Sequence, residues 1–317
     1  MSSTAKGSGR EPVAGDAPVE AASATRGGTK GREPTFIVIG AMKAGTTSLF
    51  HYLIDHPQVH MSPLKEVDFF VEELNWRRGF DWYTRQFEGA GGDALAIGEA
   101  STIYTKYPTY RGVPERIKEH LPDVRLIYVV RDPIERLRSH YQHRTLVGNE
   151  RLPLAEALAT DSTYVDMSRY GMQLERYLDH FPPEQICVIT SEALKANRGE
   201  TVQQVYRFIG VDETFVPPSL EQEFYRTQDR AQYPSGAWKI RKLAKRYVPH
   251  SKRAKELIDS LMPKFLGPRS RRGADATQTP RVIIPEEIAD RLRVVFAEDI
   301  ALLRHSMPQD FDGWGLA

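Results

Sequence analysis

The segment Thr35-Phe36-Ile37-Val38-Ile39-Gly40-Ala41-Met42-Lys43-Ala44-Gly45-Thr46-Thr47-Ser48 decides the fold. Its first five residues are an apolar, β-branched run closed by Gly40, which reads as a buried strand. From 46 to 54, Leu49, Phe50, Leu53 and Ile54 recur at helical spacing, and Pro57 stops the pattern. Strand, glycine turn and helix start together make an anion cradle. Glycine lets the backbone close tightly. The first turn of a helix leaves N–H groups unsatisfied and carries the positive end of the macrodipole. Thr46, Thr47 and Ser48 add hydroxyls and Lys43 adds a full charge, a set suited to a phosphate or a similar oxyanion.

The same alternation continues outward. A helix is predicted over 114–120, and 124–130 is the strongest strand in the chain, running into Arg131-Asp132-Pro133 and a helix over 134–143. A third strand is predicted at 185–190 and a helix at 200–209. A last helix over 285–304 places Ile288, Leu292, Val295, Phe296, Ile300 and Leu303 on one face. Strands alternating with helices predict an α/β fold: a single domain over 34–317 whose mostly parallel central sheet is flanked by helices. There is no internal repeat and no sign of a second hydrophobic core. Residues 1–33 read as a disordered tail, since they are Gly, Ala, Ser, Glu and Arg without the apolar stretch of a signal peptide.

Composition excludes several classes. Hydrophobic residues make up 40% of the 317, enough for a core. No stretch approaches the ~18 apolar residues of a spanning helix. The single cysteine, Cys187, excludes an internal disulfide and a Cys-based zinc cluster, and suits a reducing cytoplasm. No spaced His/Asp set or HExxH element suggests a metal. The net charge of +1 is a cancellation: residues 238–272 hold twelve Lys and Arg against two acids, a net of +10, leaving −9 for the rest. Trp238, Ile240, Leu243, Tyr247 and Val248 fall on one helical face among the first of these cations. That pattern suits a helix lying on anionic lipid at the inner face of the membrane. It suits equally a polyanionic acceptor, the phosphates of a donor, or a plain solvated insertion. No nucleic-acid module accompanies it, so no nucleic acid is expected.

The loop spacing compares with the nucleotide-triphosphate loop G-x-x-x-x-G-K-[ST]. Gly40 and Gly45 fit, but Thr46 follows Gly45 and the lysine lies inside the loop at 43. A Mg-dependent P-loop kinase or NTPase, the first competing reading, would lack its phosphate lysine.

Lys43-Ala44-Gly45-Thr46-Thr47, then Arg131-Asp132-Pro133 with Ser139 eight residues after the arginine, resembles the sulfotransferases, which use 3′-phosphoadenosine-5′-phosphosulfate (PAPS) as donor. Further segments resemble the heparan-sulfate branch and its bacterial relatives. These are Lys65-Glu66-Val67-Asp68-Phe69-Phe70, the stretch from Glu99 to Tyr104, Ser168-Arg169-Tyr170 with Leu174, and the closing Asp312-Gly313-Trp314. The resemblance covers 34–316, with its motifs in the family's order. It implies a P-loop-NTPase-like sulfotransferase fold. It also implies Lys43 at the bridging oxygen of the leaving phosphate, and Ala44, Gly45, Thr46, Thr47 and Ser48 around the 5′-phosphate. Arg131 and Ser139 would hold the 3′-phosphate, with Tyr170 nearby, and Glu66 would be the general base. A carboxylate beside Phe69 and Phe70 is expected to have a raised pKa through desolvation. His51, His56 and His60 are read as structural.

Departures exist. Ala100 stands where that branch has a lysine, and Asp68 where several members have a histidine. No glycine-rich basic loop for the 3′-phosphate is found near the C-terminus, and Arg226 or Arg230 is the stand-in. The acceptor is expected to be a hydroxyl, less readily an amine, of a glycan, lipid or metabolite. Loops at 71–95, 144–167 and 219–280 would shape its pocket. The second competing reading, a non-catalytic nucleotide- or membrane-binding protein on this scaffold, is opposed by the retention of both Lys43 and Glu66.

Overall fold

The computed structural model describes residues 32–222, 224 and 281–316. All of them belong to the unit Gly31–Ala317. Most of the predicted tail, Arg226, Arg230 and the basic segment 238–272 lie outside the described residues. Arg32 is described, and its guanidinium donates to the Gly91 carbonyl at 2.8 Å.

In chain order the elements are β1 (Phe36–Gly40), α1 (Thr46–Asp55), β2 (Val59–Met61), α2 (Phe80–Thr84), β3 (Ala96–Ala100), α3 (Val113–His120), β4 (Arg125–Val130), α4 (Pro133–Leu146), α5 (Leu154–Thr160), α6 (Thr163–Asp166), α7 (Tyr170–Leu178), β5 (Ile186–Thr190), α8 (Ser191–Ala196), α9 (Arg198–Ile209) and α10 (Glu286–Arg304). The strands form one sheet in the order β2-β3-β1-β4-β5, and all four pairings are parallel. This is a single α/β domain, as the alternation predicts. β1 is buried along its whole length, which is why its sequence shows no apolar–polar alternation. Two strands, β2 and β3, are absent from the sequence reading. β2 is three residues long, and β3 (Ala-Ile-Gly-Glu-Ala) carries a buried glutamate that breaks the apolar run.

The helix after β4 begins where its residues dictate. Asp132 caps α4, its carboxylate accepting from the N–H groups of Ile134 and Glu135 at 2.9 Å each, and Pro133 occupies the first turn. Arg131 is thereby held at the strand end, at the mouth of the sheet. On α10, Leu292, Phe296, Ile300 and Leu303 are buried as expected, but Val295 is 44% exposed. The expectation of a single core is also corrected. Leu137, Tyr164, Leu292, Phe296 and Ile300 are part of a smaller cluster of their own, because α10 closes over α4 and α6 beside the main core.

Candidate active site

Lys43 and Arg131 follow the C-terminal ends of β1 and β4, on the edge where an open parallel sheet presents its ligand crevice. Residues 41–45 turn from β1 into α1. Ala41 N–H donates to the Val129 carbonyl at 2.7 Å, tying the loop to β4. Gly40 has no space for a side chain: a Cβ there would lie 2.0 Å from Thr105 Oγ1. Gly45, at φ 96°, is the left-handed turn before α1. The α1 N-terminus has no side-chain cap and no acidic residue in its first turn. The Thr46 and Thr47 N–H groups and the positive dipole end therefore face outward from the helix, toward any external anion.

Lys43 also has positive φ, 74°, and its carbonyl accepts from the Arg131 guanidinium at 3.2 Å. The structure thus brings the Arg131 side chain onto the backbone of the loop at Lys43, 88 residues earlier in the chain. Arg131 also pairs with Glu135 at 3.5 Å. Thr46 is buried at the start of α1, with Thr47 and Ser48 half-buried beside it. Three groups are already engaged: Ala44 N–H donates to the Ala41 carbonyl at 3.2 Å, Ser48 N–H donates to the Gly45 carbonyl at 3.0 Å, and Ser48 Oγ accepts from Phe224 N–H at 3.4 Å. Ser139 is buried on α4, and Tyr170 is fully buried at the start of α7.

Beneath this cradle the protein accumulates positive charge. Arg136, on the face of α4 that carries Ser139, is fully buried. Its Nε donates to Ser168 Oγ at 2.6 Å, and Nη2 bonds the Tyr164 carbonyl. Burial lowers its pKa to about 10. Burial, together with the charges of Arg136, Lys106 and Arg144, pushes the neighbouring His140 down to about 2. His140 is neutral at any working pH.

Glu66 lies across the sheet edge, beside the end of β3. Its N–H donates to the Ala100 carbonyl at 2.9 Å, and Ser101 N–H in turn donates to Val38 of β1 at 3.0 Å. The Glu66 turn and the loop 41–45 therefore sit on adjacent strand ends. Glu66 and Asp68 both have positive φ, 63° and 55°. Non-glycine residues adopt this conformation at a cost and hold it only when their surroundings over-determine it. The Glu66 carboxylate accepts from Lys65 Nζ and from Thr102 N–H, each at 2.9 Å. Here the expected pKa is corrected. Burial does push Glu66 up, but the Lys65 charge and hydrogen bond, the Thr102 N–H and the Lys106 charge outweigh it, and the pKa falls below the usual carboxylate range. Glu66 is an ionised acceptor at neutral pH.

The sequence reading missed Thr102 and Lys106. Thr102 orients Glu66, and the charge of Lys106 acts on both Glu66 and His140. Neither belongs to a periodic pattern; contact across the sheet edge identifies them. Of the three histidines, His51 stacks on Phe224 at 4.0 Å and His56 Nε2 contacts the Asp212 carbonyl at 2.9 Å. Among the described residues no group of His, Cys, Asp or Glu is placed to hold a metal, and no helix is long and apolar enough to cross a membrane.

A family model for the sulfotransferase domain matches residues 33–236. The human bifunctional heparan sulfate N-deacetylase/N-sulfotransferase 3 is 29% identical over 203 residues, covering 57% of this chain and 22% of that protein. The human heparan sulfate glucosamine 3-O-sulfotransferase 5 is 29% identical over 202 residues, covering 60% of this chain and 55% of that protein. The chain thus spans from about a fifth to about half the length of these relatives. The crystal structure of a sulfotransferase from Alicyclobacillus acidocaldarius superimposes with a TM-score of 0.64 at 25% identity, over 90% of this chain and 99% of that one.

Proposed function

The chain belongs to the sulfotransferase domain family, and from that premise we propose that it transfers the sulfuryl group of PAPS to a hydroxyl of a carbohydrate acceptor. The observation that carries this reading is the bond from the Arg131 guanidinium to the backbone of the Lys43 loop beside an uncapped helix N-terminus, with an ionised glutamate on the adjoining strand end. That set offers cations and N–H donors to a bisphosphorylated donor and a proton acceptor to an alcohol. An amine acceptor is the second option, because N- and 3-O-sulfotransferases are similar to this chain at 29% identity.

Sulfuryl transfer is an in-line displacement in which positioning and electrostatics dominate. The acceptor oxygen forms a bond to sulfur as the bond from sulfur to the bridging 5′-phosphate oxygen breaks. Glu66 takes the acceptor's proton, and the ammonium of Lys43 meets the charge developing on the bridging oxygen. The N–H groups of Thr46 and Thr47 hold the 5′-phosphate, while Arg131 and Ser139 hold the 3′-phosphate, with Tyr170 at the back of that subsite. Arg226 would complete it. The buried charge of Arg136 adds to the positive potential on this side.

The test is incubation with 35S-labelled PAPS and an extract of the source organism. A labelled carbohydrate and released adenosine 3′,5′-bisphosphate are expected. Absence of any 35S-labelled product, together with Mg²⁺-dependent transfer of the γ-phosphate from 32P-labelled ATP, would overturn the reading. A cytoplasmic site at the membrane rests on the lone Cys187 and the +10 segment, and co-sedimentation with anionic vesicles at low and high salt tests it.

A further inference from the structure

Glu99 is a fully buried carboxylate to which the proposed chemistry gives no role. Three hydroxyls converge on it. Tyr83 and Tyr104 donate to Oε1 at 2.8 and 2.9 Å, and Ser101 donates to Oε2 at 2.6 Å. Among the described residues none of its hydrogen bonds comes from a cation. A buried carboxylate is a costly way to hold three hydroxyls, so its use needs a reason.

The reason lies in what two of those hydroxyls do with their other side. Ser101 Oγ accepts from Asp68 N–H at 3.0 Å, and Tyr104 Oη accepts from Phe69 N–H at 3.0 Å. A hydroxyl has one proton. With that proton committed to Glu99, each oxygen presents only lone pairs to the backbone of 68–69. The same turn holds Glu66 and Asp68 at positive φ, and Asn75 Nδ2 donates to its Val67 carbonyl at 2.8 Å.

We propose that Glu99 is a positioning residue for the base: by fixing the hydroxyl directions of Ser101 and Tyr104, its carboxylate holds the backbone of 68–69 and so aims the Glu66 side chain. This rests on Glu66 being the base. The titratable groups facing Glu99 are Tyr83 from α2, Tyr104 from the 3-10 turn Thr102–Thr105 and Asp68 from the base turn; its register partner on β1 is Ile37. Burial, with Asp68 adding to it, raises Glu99 to about 7 against the pull of its three hydroxyl donors. Protonation would require one oxygen to donate, reversing the order of the network.

The test is Glu99→Gln, whose amide nitrogen cannot accept. Hydrogen exchange should speed up at least about 10-fold at the Asp68 and Phe69 amides and stay unchanged across 36–48. Affinity for adenosine 3′,5′-bisphosphate should stay within about 3-fold, while kcat for transfer from labelled PAPS falls about 10- to 100-fold. The wild-type acid limb of kcat near pH 7 should vanish in the variant. Should that variant fail to fold, Tyr83→Phe removes one donor without touching the 68–69 contacts, and it should move the acid limb upward. Unchanged exchange at 68–69, an unmoved acid limb, or a parallel fall of kcat and bisphosphate affinity overturns the inference. Failure of the wild-type protein to bind the bisphosphate would instead overturn the sulfotransferase reading, and the exchange result would stand apart from it.

Discussion

The two halves of the sheet edge treat charge in opposite ways. On the β1–β4 side, Arg131 bonds the Lys43 carbonyl near a buried Arg136, and His140 is driven neutral by its surroundings. On the β3 side, Glu66 and Asp68 sit in a turn moulded on the buried Glu99. On the proposed reading an anionic ligand would occupy the cationic side, and its charge would offset the cost of crowding cations there. The acidic side holds one carboxylate ionised, and a second raised to about 7 that is bonded by three hydroxyls. Two glutamates 33 residues apart have opposite pKa shifts because Glu66 has a cation and an N–H beside it, whereas Glu99 has only neutral donors.

If this division is correct, the two sides should fail differently. The largest effect is expected from Lys43→Met, which removes the charge at the leaving oxygen. Transfer should fall about 10³-fold or more, measured with saturating labelled PAPS. Glu66→Gln should lower turnover by about 10²- to 10³-fold and leave adenosine 3′,5′-bisphosphate affinity unchanged by calorimetry. A matching loss of affinity would erase the distinction between the sides. Arg131→Ala should reduce the preference for adenosine 3′,5′-bisphosphate over 5′-AMP by about 10- to 100-fold, because a bidentate phosphate contact is lost. Equal weakening of both nucleotides would remove Arg131 from the 3′-phosphate.

The last effect concerns stability against pH. Glu99 has a folded pKa raised to about 7, so its contribution is largest in acid and is lost as pH rises from the ordinary carboxylate range through about 7, by ~3 kcal/mol at most. Glu66 is depressed, so its contribution is present above the ordinary range and is lost as pH falls. Denaturant melts of wild type and Glu99→Gln between pH 5 and 8 should therefore show the variant gaining relative stability as pH rises. A constant difference would show that Glu99 does not titrate in that window.

Much of the cationic side was legible in advance. The loop 40–48 and the Arg131-Asp132-Pro133 element are contiguous, and local rules govern them: glycine at a left-handed turn, an aspartate cap, proline in the first helical turn. The acidic side was read less well. Glu66 was found by resemblance, and its pKa was assigned the wrong direction because Phe69 and Phe70 are adjacent in sequence, whereas Thr102 and the Lys106 charge act on it only in space. β3 went unread because its buried glutamate interrupts the apolar pattern.

By itself the sequence determined the α/β alternation, the anion loop and the cations around it, since these follow from short-range periodicity and helix-end chemistry. Only the tertiary structure decided how Glu66 is held and what Glu99 does. A carboxylate's charge state and a hydroxyl's direction depend on which groups surround them, and those groups come from strands and turns far apart in the chain.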